Sequence, residues 1–342
     1  MHRPLRLTVD RGALAHNWCW LQDRAGVPAG AAIKADGYGL GARDAMATLH
    51  EAGCRTFFVS TYAEAEELGA VPEGSSLVVL HGVGADDVDA ALHSNARPVL
   101  NTSDQVSRWK DIAPGQACDV MIDTGMNRLG LNGEDIAALD GLAIDTLHSH
   151  LACADEDSAM NGRQLERFRG LAAQIRAKRY SLANSAGICI GRDYSFDMVR
   201  PGLALYGGIP RSEAHGQIRQ VARIEAQVVQ RRTIREGESC GYGATFVAAR
   251  DTQGAIVNLG YADGYLRGFS SRGSAFAGEF ALPVLGRVSM DLVALGCDAA
   301  PTLSEGDWIE IDYDLRSASA ASGLSQYELL TVLASRFERI WT

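Results

Sequence analysis

Lysine is scarce in this chain of 342 residues, which contains three: Lys34, Lys110 and Lys178. Lys110 and Lys178 lie in polar, helix-like stretches, where solvated side chains are expected. Lys34 instead ends an apolar run, and ammonium groups are rarely buried there without a partner. A lysine partly desolvated at a strand end can lose its proton and form a Schiff base with an aldehyde. A side chain whose head simply reaches water is an equally good interpretation of this stretch alone.

Several other features are missing. No apolar run approaches the roughly 20 residues of a membrane-spanning helix, and MHRPLRLTVDRG lacks the apolar core of a signal peptide. The seven cysteines occur singly, without a CxxC spacing, as is typical of reduced thiols in a cytoplasmic protein. A net charge of −10 disfavours general binding to nucleic acid or anionic membranes. We therefore expect a cytoplasmic protein with no nucleic-acid or membrane partner.

Strand-like and helix-like segments alternate through the first part of the chain. The apolar, strand-like runs are Ala31–Ala35, Thr56–Ser60, Ser76–Leu80, Arg97–Leu100, Cys118–Asp123, Thr146–Leu151, Leu182–Ala186 and Met198–Leu205. Helix-like segments occupy 11–24, Ala42–Ala52, Ala63–Leu68, Asp86–His93, Asp135–Leu139 and Ser158–Lys178. Eight strands alternating with helices predict an α/β fold, a TIM-like parallel (β/α)8 barrel spanning residues 10–212.

The pattern changes after about Gly208, where strand-like runs follow one another with little helix between them. These runs are Ile218–Ile234, Gly254–Leu259, Phe280–Leu285, Val288–Leu295 and Trp308–Ile311, before a final helix at Gln326–Arg339. They predict a second, mostly antiparallel β domain over residues 213–342. We assign the N-terminal strand, residues 1–9, to this domain, because a strand that precedes a barrel needs a sheet to join.

Polar residues cluster at the ends of the predicted barrel strands, where barrel enzymes place their reactive groups. The residues concerned are Lys34, Arg128, His150, Asn184, Ser185, Arg200, Gly202 and Tyr206. Together they fit a phosphorylated aromatic aldehyde. The lysine would bind the aldehyde, and hydroxyl and backbone N–H groups would bind the phosphate. The histidine would cover the face of the ring, and an arginine would contact the ring nitrogen. Each residue alone has an ordinary structural explanation, so the prediction depends on their coincidence at one end.

Two tyrosines of the second domain lie between glycines: Tyr242 in CGYGAT and Tyr261 in GYADG. Both could be ordinary turn residues, or either could serve as an acid or base. A phenol has a pKa near 10, so it would need nearby positive charge to work near neutral pH. A metal site at His148, His150, Cys153 and Asp155 was also considered, but no second cluster completes a coordination shell, and no metal is predicted.

Nine motifs occur in the order found in the alanine racemase family, which the whole chain resembles. They are AAIKADGYG, IDTGMNRLG, SHLACADE, ANSAG, VRPGLALYG, CGYGATF, GYADGY, GRVSMD and SQYELLTVLASRFERI. The resemblance implies an isomerase that interconverts L- and D-alanine with pyridoxal 5′-phosphate and supplies D-alanine for peptidoglycan. It also implies a barrel followed by a β domain, and a head-to-tail homodimer with shared active sites.

The resemblance further implies a role for each matching residue. Lys34 would hold the cofactor covalently and act as the base on the D side, and Tyr242 from the other subunit would act on the L side. The other implied cofactor contacts are Tyr38, Ser185, the Leu203 amide and Tyr327 at the phosphate, His150 near the ring and Arg200 at the pyridine nitrogen. The implied substrate contacts are Arg128, the Met290 backbone and Tyr261, which would narrow the entrance from the partner subunit.

Three departures from the family pattern are visible, and the first is Leu40, which replaces a frequent histidine after Tyr38-Gly39. Met121 stands where many members have a carbamylated lysine that orients the arginine at the position of Arg128, and Ser181 stands where a histidine often supports the arginine at the position of Arg200. These changes leave open a broader racemase for serine or basic amino acids. A non-catalytic pyridoxal-phosphate carrier and a decarboxylase of similar architecture are further alternatives, although neither gives a use to CGYGATF and GRVSMD.

Overall fold

The computed structural model describes residues 2–333 and 335–342. The chain divides into two compact units: Leu14–Arg219, and the residues up to Ala13 together with Gln220–Thr342. Strand β1 (Leu5–Val9) comes first and helix α1 (Arg11–Ala25) follows it. No helix among the described residues is both long and apolar enough to cross a membrane.

Seven parallel strands form the sheet of the unit Leu14–Arg219, each hydrogen-bonded to the next in sequence order. They are β2 (Ala31–Ala32), β3 (Thr56–Val59), β4 (Ser76–Val79), β5 (Arg97–Leu100), β6 (Ala117–Met121), β7 (Ala143–His148) and β8 (Arg179–Ser181). All four residues of β3 are buried. Strands of a parallel sheet are covered on both faces, which explains why these segments appear as continuous apolar runs in the sequence.

The eighth predicted strand, Met198–Leu205, is wrong as a strand, although this segment does complete the barrel. Val199 forms an isolated parallel bridge to Ala29. On one side the Gly30 N–H donates to Val199 O at 2.9 Å, and on the other the Arg200 N–H donates to Ala183 O at 2.9 Å. Pro201 has no N–H group with which to extend a ladder. The predicted (β/α)8 fold class is confirmed, with seven ladder strands and one irregular eighth segment.

Helices follow most barrel strands: α2 (Ala42–Ala52), α3 (Tyr62–Leu68), α4 (Val88–His93), α5 (Ser103–Ile112), α6 (Ala159–Ala172) and α7 (Ser185–Ile190). The predicted strand Leu182–Ala186 is wrong, because β8 ends at Ser181 and Ser185 begins α7. The Asn184 side chain explains this start, since it accepts a hydrogen bond from the Gly187 N–H at 2.9 Å and caps the helix. The predicted helix Ser158–Lys178 extends too far, since α6 ends at Ala172.

The other unit is built on a mostly antiparallel sheet. Its further strands are β9 (Ala222–Ile234), β10 (Ser239–Cys240), β11 (Phe246–Val247), β12 (Thr252–Val257), β13 (Ser274–Ala277), β14 (Phe280–Pro283), β15 (Val293–Gly296), β16 (Trp308–Ile311) and β17 (Glu338–Trp341). The long strand β9 pairs antiparallel with β1 and β16 through its first part and with β12 through its second part. Helices α8 (Leu315–Ser322) and α9 (Gln326–Thr331) complete the unit.

The predicted final helix, Gln326–Arg339, is wrong in its second half. Helix α9 begins with a Ser325–Glu328 capping box and ends at Thr331. Residue 334 of the predicted helix lies outside the described residues. Residues from Glu338 onward instead form β17, which pairs in parallel with β1 through Leu7 and Arg339 among others. Pairing with a distant strand decides the conformation of this segment, as is common where helical preference is weak.

Candidate active site

The chain makes a left-handed helical turn directly after Lys34. Ala35, Asp36, Gly37 and Tyr38 all have positive φ, between 51° and 61°. The Gly37 N–H donates to Ile33 O and the Gly39 N–H to Ala35 O, both at 2.8 Å. The predicted strand Ala31–Ala35 is therefore too long, since β2 ends at Ala32. A left-handed conformation costs about 1–2 kcal/mol for each residue with a Cβ atom, so the surroundings must hold this turn in place.

Glu64 is one residue that holds the turn, and the sequence reasoning missed it. Its Oε1 accepts a hydrogen bond from the Ala35 N–H at 3.0 Å, and its Oε2 accepts one from the Ser60 N–H at 2.7 Å. The carboxylate thus joins the turn after Lys34 to the end of β3. The Thr61–Glu64 spacing of a capping box was the available signal, but such a pattern indicates only a helix start.

Lys34 is half-buried at the end of the β2 segment. Desolvation and, secondarily, the positive charge of Arg128 lower the pKa of the Lys34 amine, while Glu64 acts in the opposite direction. A lowered pKa increases the fraction of neutral amine near neutral pH, and the neutral amine is the form that attacks an aldehyde or accepts a proton. The structure therefore favours the reactive interpretation of Lys34 over that of a solvated side chain.

A cradle of hydroxyl and backbone N–H groups forms at the end of the eighth barrel segment. Ser185 Oγ accepts hydrogen bonds from the Gly202 N–H at 3.0 Å and the Ala204 N–H at 3.2 Å. Tyr38 approaches so closely that a Cβ atom on Gly202 would lie 2.1 Å from its hydroxyl oxygen. Leu203 begins a 3₁₀ helix, Leu203–Tyr206. Its N–H makes no hydrogen bond within residues 2–333 and 335–342. Backbone N–H groups at a helix start, together with two hydroxyls, suit a phosphate group.

Arg200 is buried and held by neutral oxygens. Its Nη1 donates to Ser181 O at 3.0 Å and to Ser181 Oγ at 2.5 Å, and its Nη2 donates to Ser149 O at 2.6 Å. Burial lowers the pKa of Arg200 to about 10, and Asp119 opposes this. Ser181 thus supports Arg200 through both its carbonyl and its hydroxyl.

Arg128 lies on a loop that a single carboxylate organises. Asp123 accepts hydrogen bonds from the Gly125, Met126 and Asn127 N–H groups at 2.8, 2.9 and 2.8 Å. Met121, the departure noted in the sequence, is buried and offers no charged group to Arg128. The loop that carries Arg128 is therefore fixed through its backbone by Asp123, a contact that the sequence reasoning did not foresee.

His150 is half-buried close to Arg200, Arg128 and Lys34. Desolvation, followed by these three positive charges, lowers the pKa of His150 to about 3. Its backbone oxygen accepts a hydrogen bond from Gln164 Nε2 at 2.9 Å. The imidazole is therefore neutral near neutral pH.

Three of the four predicted site residues of the other unit are exposed, and the fourth, Tyr261, is half-buried. Tyr242 is 69% exposed, Met290 51% and Tyr327 44%. Tyr261 and Met290 are neighbours, because the Tyr261 N–H donates to Ser289 O and the Ala262 N–H to Met290 O, both at 3.0 Å. Tyr242 lies in a turn backed by Arg287, whose Nη1 would be 2.8 Å from a Cβ atom on Gly243. Within this unit, then, Tyr261 and Met290 come together, and Tyr242 stands on a separate turn.

The described part of the chain contains no group of three or more His, Cys, Asp or Glu residues that could hold a metal ion. His148, a member of the cluster considered from the sequence, hydrogen-bonds Asp119 instead. The barrel residues do fit pyridoxal phosphate. The amine of Lys34 suits an aldehyde, the cradle at Ser185, Gly202 and Leu203 suits a phosphate, and Arg200 offers a donor to a ring nitrogen.

Comparison with known proteins gives concordant matches over both units. The family model described as alanine racemase, N-terminal domain, matches residues 9–210, and that described as alanine racemase, C-terminal domain, matches residues 221–341. The biosynthetic and catabolic alanine racemases of Agrobacterium fabrum are each 38% identical to this chain. The alignments cover 98% and 97% of the chain and 93% and 91% of the two relatives. The crystal structure of alanine racemase from Bartonella henselae with covalently bound pyridoxal phosphate matches with a TM-score of 0.93 and 32% identity over all of both chains.

Proposed function

This chain belongs to the alanine racemase family, and from that premise we propose how its residues interconvert L- and D-alanine with pyridoxal phosphate. The single observation that carries the proposal is the environment of Lys34. Its amine has a lowered pKa and lies at the end of a barrel strand. The barrel also supplies a phosphate cradle at Ser185 and Gly202. Few arrangements other than a pyridoxal-phosphate site need these features together.

The barrel residues bind and orient the cofactor. Lys34 would hold the cofactor through its aldehyde carbon, and Tyr38, Ser185 and the Leu203 N–H would bind the phosphate, with Tyr327 as a further ligand. Arg200 donates to the pyridine nitrogen and keeps it unprotonated, because a guanidinium does not give up its proton. His150 packs near the ring as a neutral imidazole. Bound pyridoxal phosphate acidifies the α-carbon of the amino acid by accepting electron density.

Racemisation needs two bases on opposite faces of a planar carbon, and Lys34 supplies one of them. Lys34 Nζ removes or returns the α-proton of D-alanine, and Tyr242 of the partner subunit removes or returns that of L-alanine. The exposure of Tyr242 on its turn supports its use by another chain. Arg128 and the Met290 backbone bind the substrate carboxylate, and Tyr261 narrows the entrance so that a methyl side chain fits best.

These roles imply a homodimer with shared sites, working in the cytoplasm. The product that fits the family is D-alanine for peptidoglycan. Because the biosynthetic and catabolic relatives are equally similar to this chain, the cellular role needs its own test: the gene should restore growth without added D-alanine in a bacterial strain that lacks its own racemases.

The defining experiment is α-proton exchange. Purified protein with pyridoxal phosphate is incubated with L-alanine in deuterated water, and the α-proton is followed by NMR and the product by chiral separation. Deuterated D-alanine is the expected product. Exchange without the D-isomer would contradict the two-base assignment, and exchange restricted to serine or lysine would instead support a broader racemase. Cofactor binding without any exchange would support a carrier, and release of carbon dioxide would support a decarboxylase.

A further inference from the structure

A second buried cluster lies beside Arg200 in the barrel, formed by Asp119 on β6 and His148 at the end of β7. Both side chains are almost fully buried. Asp119 Oδ2 accepts a hydrogen bond from His148 Nε2 at 3.0 Å. Its Oδ1 accepts one from Arg97 Nε at 2.7 Å and one from the Thr146 N–H at 3.0 Å. None of these groups belongs to the residues assigned to cofactor or substrate.

The hydrogen bond to Asp119 fixes the state of the His148 ring. Burial and the nearby Arg200 lower the pKa of His148 to about 4, although Asp119 opposes this. The ring is therefore neutral near neutral pH, with its proton on Nε2, because a carboxylate can only accept. The other ring nitrogen, Nδ1, is buried and has no partner within the described part of the chain.

His148 also begins the segment that holds Arg200. The His148 carbonyl accepts a hydrogen bond from the Ile122 N–H at 2.8 Å, and the Ser149 N–H donates to Ser181 O at 3.0 Å. The Ser149 carbonyl then accepts the 2.6 Å hydrogen bond from Arg200 Nη2. A His148 ring tied to Asp119 thus fixes the backbone on which Arg200 depends.

Arg200 also lacks a carboxylate of its own. Within the described residues its hydrogen bonds go to two carbonyls and one hydroxyl, although a buried cation needs a compensating negative charge. The negative charge of Asp119 opposes the lowering of the Arg200 pKa by burial. That charge is shared with Arg97, which also lies 3.3 Å from Asp145. A chain of ionic and polar groups therefore extends from Asp145 through Arg97, Asp119 and His148 towards Arg200.

We propose that Asp119 and His148 are positioning residues for Arg200: Asp119 supplies its countercharge across the neutral imidazole, and His148 fixes the Ser149 carbonyl that orients it. The proposal rests on the role proposed above for Arg200 at the pyridine nitrogen. If Arg200 is displaced, the pyridine nitrogen is no longer kept unprotonated. More substrate would then be lost as pyruvate: the α-proton would be transferred to the cofactor, water would hydrolyse the carbon–nitrogen bond, and pyruvate would leave while the amino group stays on the cofactor as an amine.

The first test is made on the holoenzyme by ¹⁵N NMR of the histidine rings, which does not depend on turnover. Wild type should show His148 as the neutral Nε2–H tautomer at pH 7. In Asp119→Asn the amide nitrogen becomes a donor towards the ring, and the tautomer should switch to Nδ1–H. An unchanged tautomer in a folded Asp119→Asn variant would overturn the proposal. Because this result is independent of racemisation, it is distinguishable from failure of the proposed function.

The second test compares turnover among matched variants. Asp119→Asn and His148→Leu should lower kcat by about ten- to a hundredfold, the value of one lost hydrogen bond in a charged network, with a smaller change in KM. Both should form more pyruvate for each racemisation event. His148→Gln keeps a donor for Asp119 and should recover most of kcat.

Asp145→Asn is the control, because it weakens the same network on the far side of Arg97. It should lower the melting temperature without raising the pyruvate ratio. A pyruvate ratio raised equally in Asp145→Asn, or no difference between His148→Gln and His148→Leu, would show that the cluster is only structural.

Discussion

The two units of this protein present their predicted site residues in opposite ways. In the barrel unit Ser185 and Arg200 are buried. Glu64 accepts a hydrogen bond from the turn after Lys34, and Asp123 accepts hydrogen bonds from the loop that carries Arg128. In the other unit Tyr242, Met290 and Tyr327 are among the most exposed large apolar or aromatic side chains. The barrel residues are therefore ordered within one chain, whereas the residues of the β unit are presented for use at a surface.

The difference follows from the chemistry proposed for each unit. A lysine needs desolvation to lower its pKa, and a phosphate needs preorganised N–H donors, so both benefit from burial. A base that approaches from the opposite face can come from another chain. Association of the two subunits then positions that base.

Removing the buried amine should have the largest effect. Lys34→Ala should lower racemisation by at least about 10⁴-fold, because it removes both the covalent attachment and one base. Lys110→Ala and Lys178→Ala are matched controls elsewhere in the barrel unit and should retain wild-type activity. Full activity in Lys34→Ala, measured by chiral separation of alanine, would refute the site.

Removing the exposed phenol should have a smaller effect that depends on the substrate isomer. Tyr242→Phe should lower racemisation by about 10²–10⁴-fold, the usual contribution of a general base. In deuterated water the variant should still exchange the α-proton of D-alanine through Lys34, but not that of L-alanine. Equal exchange from both isomers would remove Tyr242 from the mechanism.

Mixing the two inactive variants tests whether the units act across chains. Co-expressed Lys34→Ala and Tyr242→Phe subunits should regain about a quarter of wild-type activity, because half of the dimers contain one complete site out of two. Two copies of the same variant provide the baseline. No recovery in a verified heterodimer would mean that each chain completes its own site.

A Cβ atom at the phosphate cradle should weaken cofactor binding. In Gly202→Ala the new atom would meet the Tyr38 hydroxyl at 2.1 Å, so Tyr38 must move away from the cradle. We expect pyridoxal phosphate to bind about ten- to a hundredfold more weakly, as measured by titration of the cofactor-free protein. Gly170→Ala, where a Cβ atom meets nothing within 4 Å, should bind normally.

Acid should destabilise the barrel unit through its buried histidines. The pKa of His148 is about 4 in the folded protein, against an ordinary value of 6.5. The unfolded state therefore binds more protons between these values, and the free energy of unfolding falls as the pH drops from about 6.5 towards 4. His148→Gln should flatten this dependence by up to about 1.4 kcal/mol per pH unit, measured by urea unfolding.

Much of the fold follows from local sequence patterns. The bounds of Ala42–Ala52, Arg97–Leu100 and Trp308–Ile311 agree between prediction and structure, because strong periodicity or dense β-branched and apolar residues leave little choice there. The predictions for Met198–Leu205 and the second half of Gln326–Arg339 failed. A proline and a pairing with β1, respectively, decide those segments, and the pairing involves residues more than 300 positions away.

The candidate site shows the same division. Lys34 could be singled out because lysine is scarce, and the other predicted residues because their motifs keep the family order. Glu64, Asp123 and the Asp119–His148 pair could not, because a carboxylate in a helix or strand pattern gives no sign of the backbone N–H group it will meet. Their roles as site residues remain predictions until the variants above are measured.

The sequence by itself determined the alternation of strands and helices and the change to a β-rich second part, and it made Lys34 the candidate for binding an aldehyde. Only the tertiary structure decided that the chain after Lys34 turns left-handed and that an irregular segment closes the barrel. It also decided that the first and last strands of the second unit lie side by side. The physical reason is that local patterns depend on neighbouring residues, whereas desolvation, charge and hydrogen-bond partners depend on groups that are distant in the chain and meet only on folding.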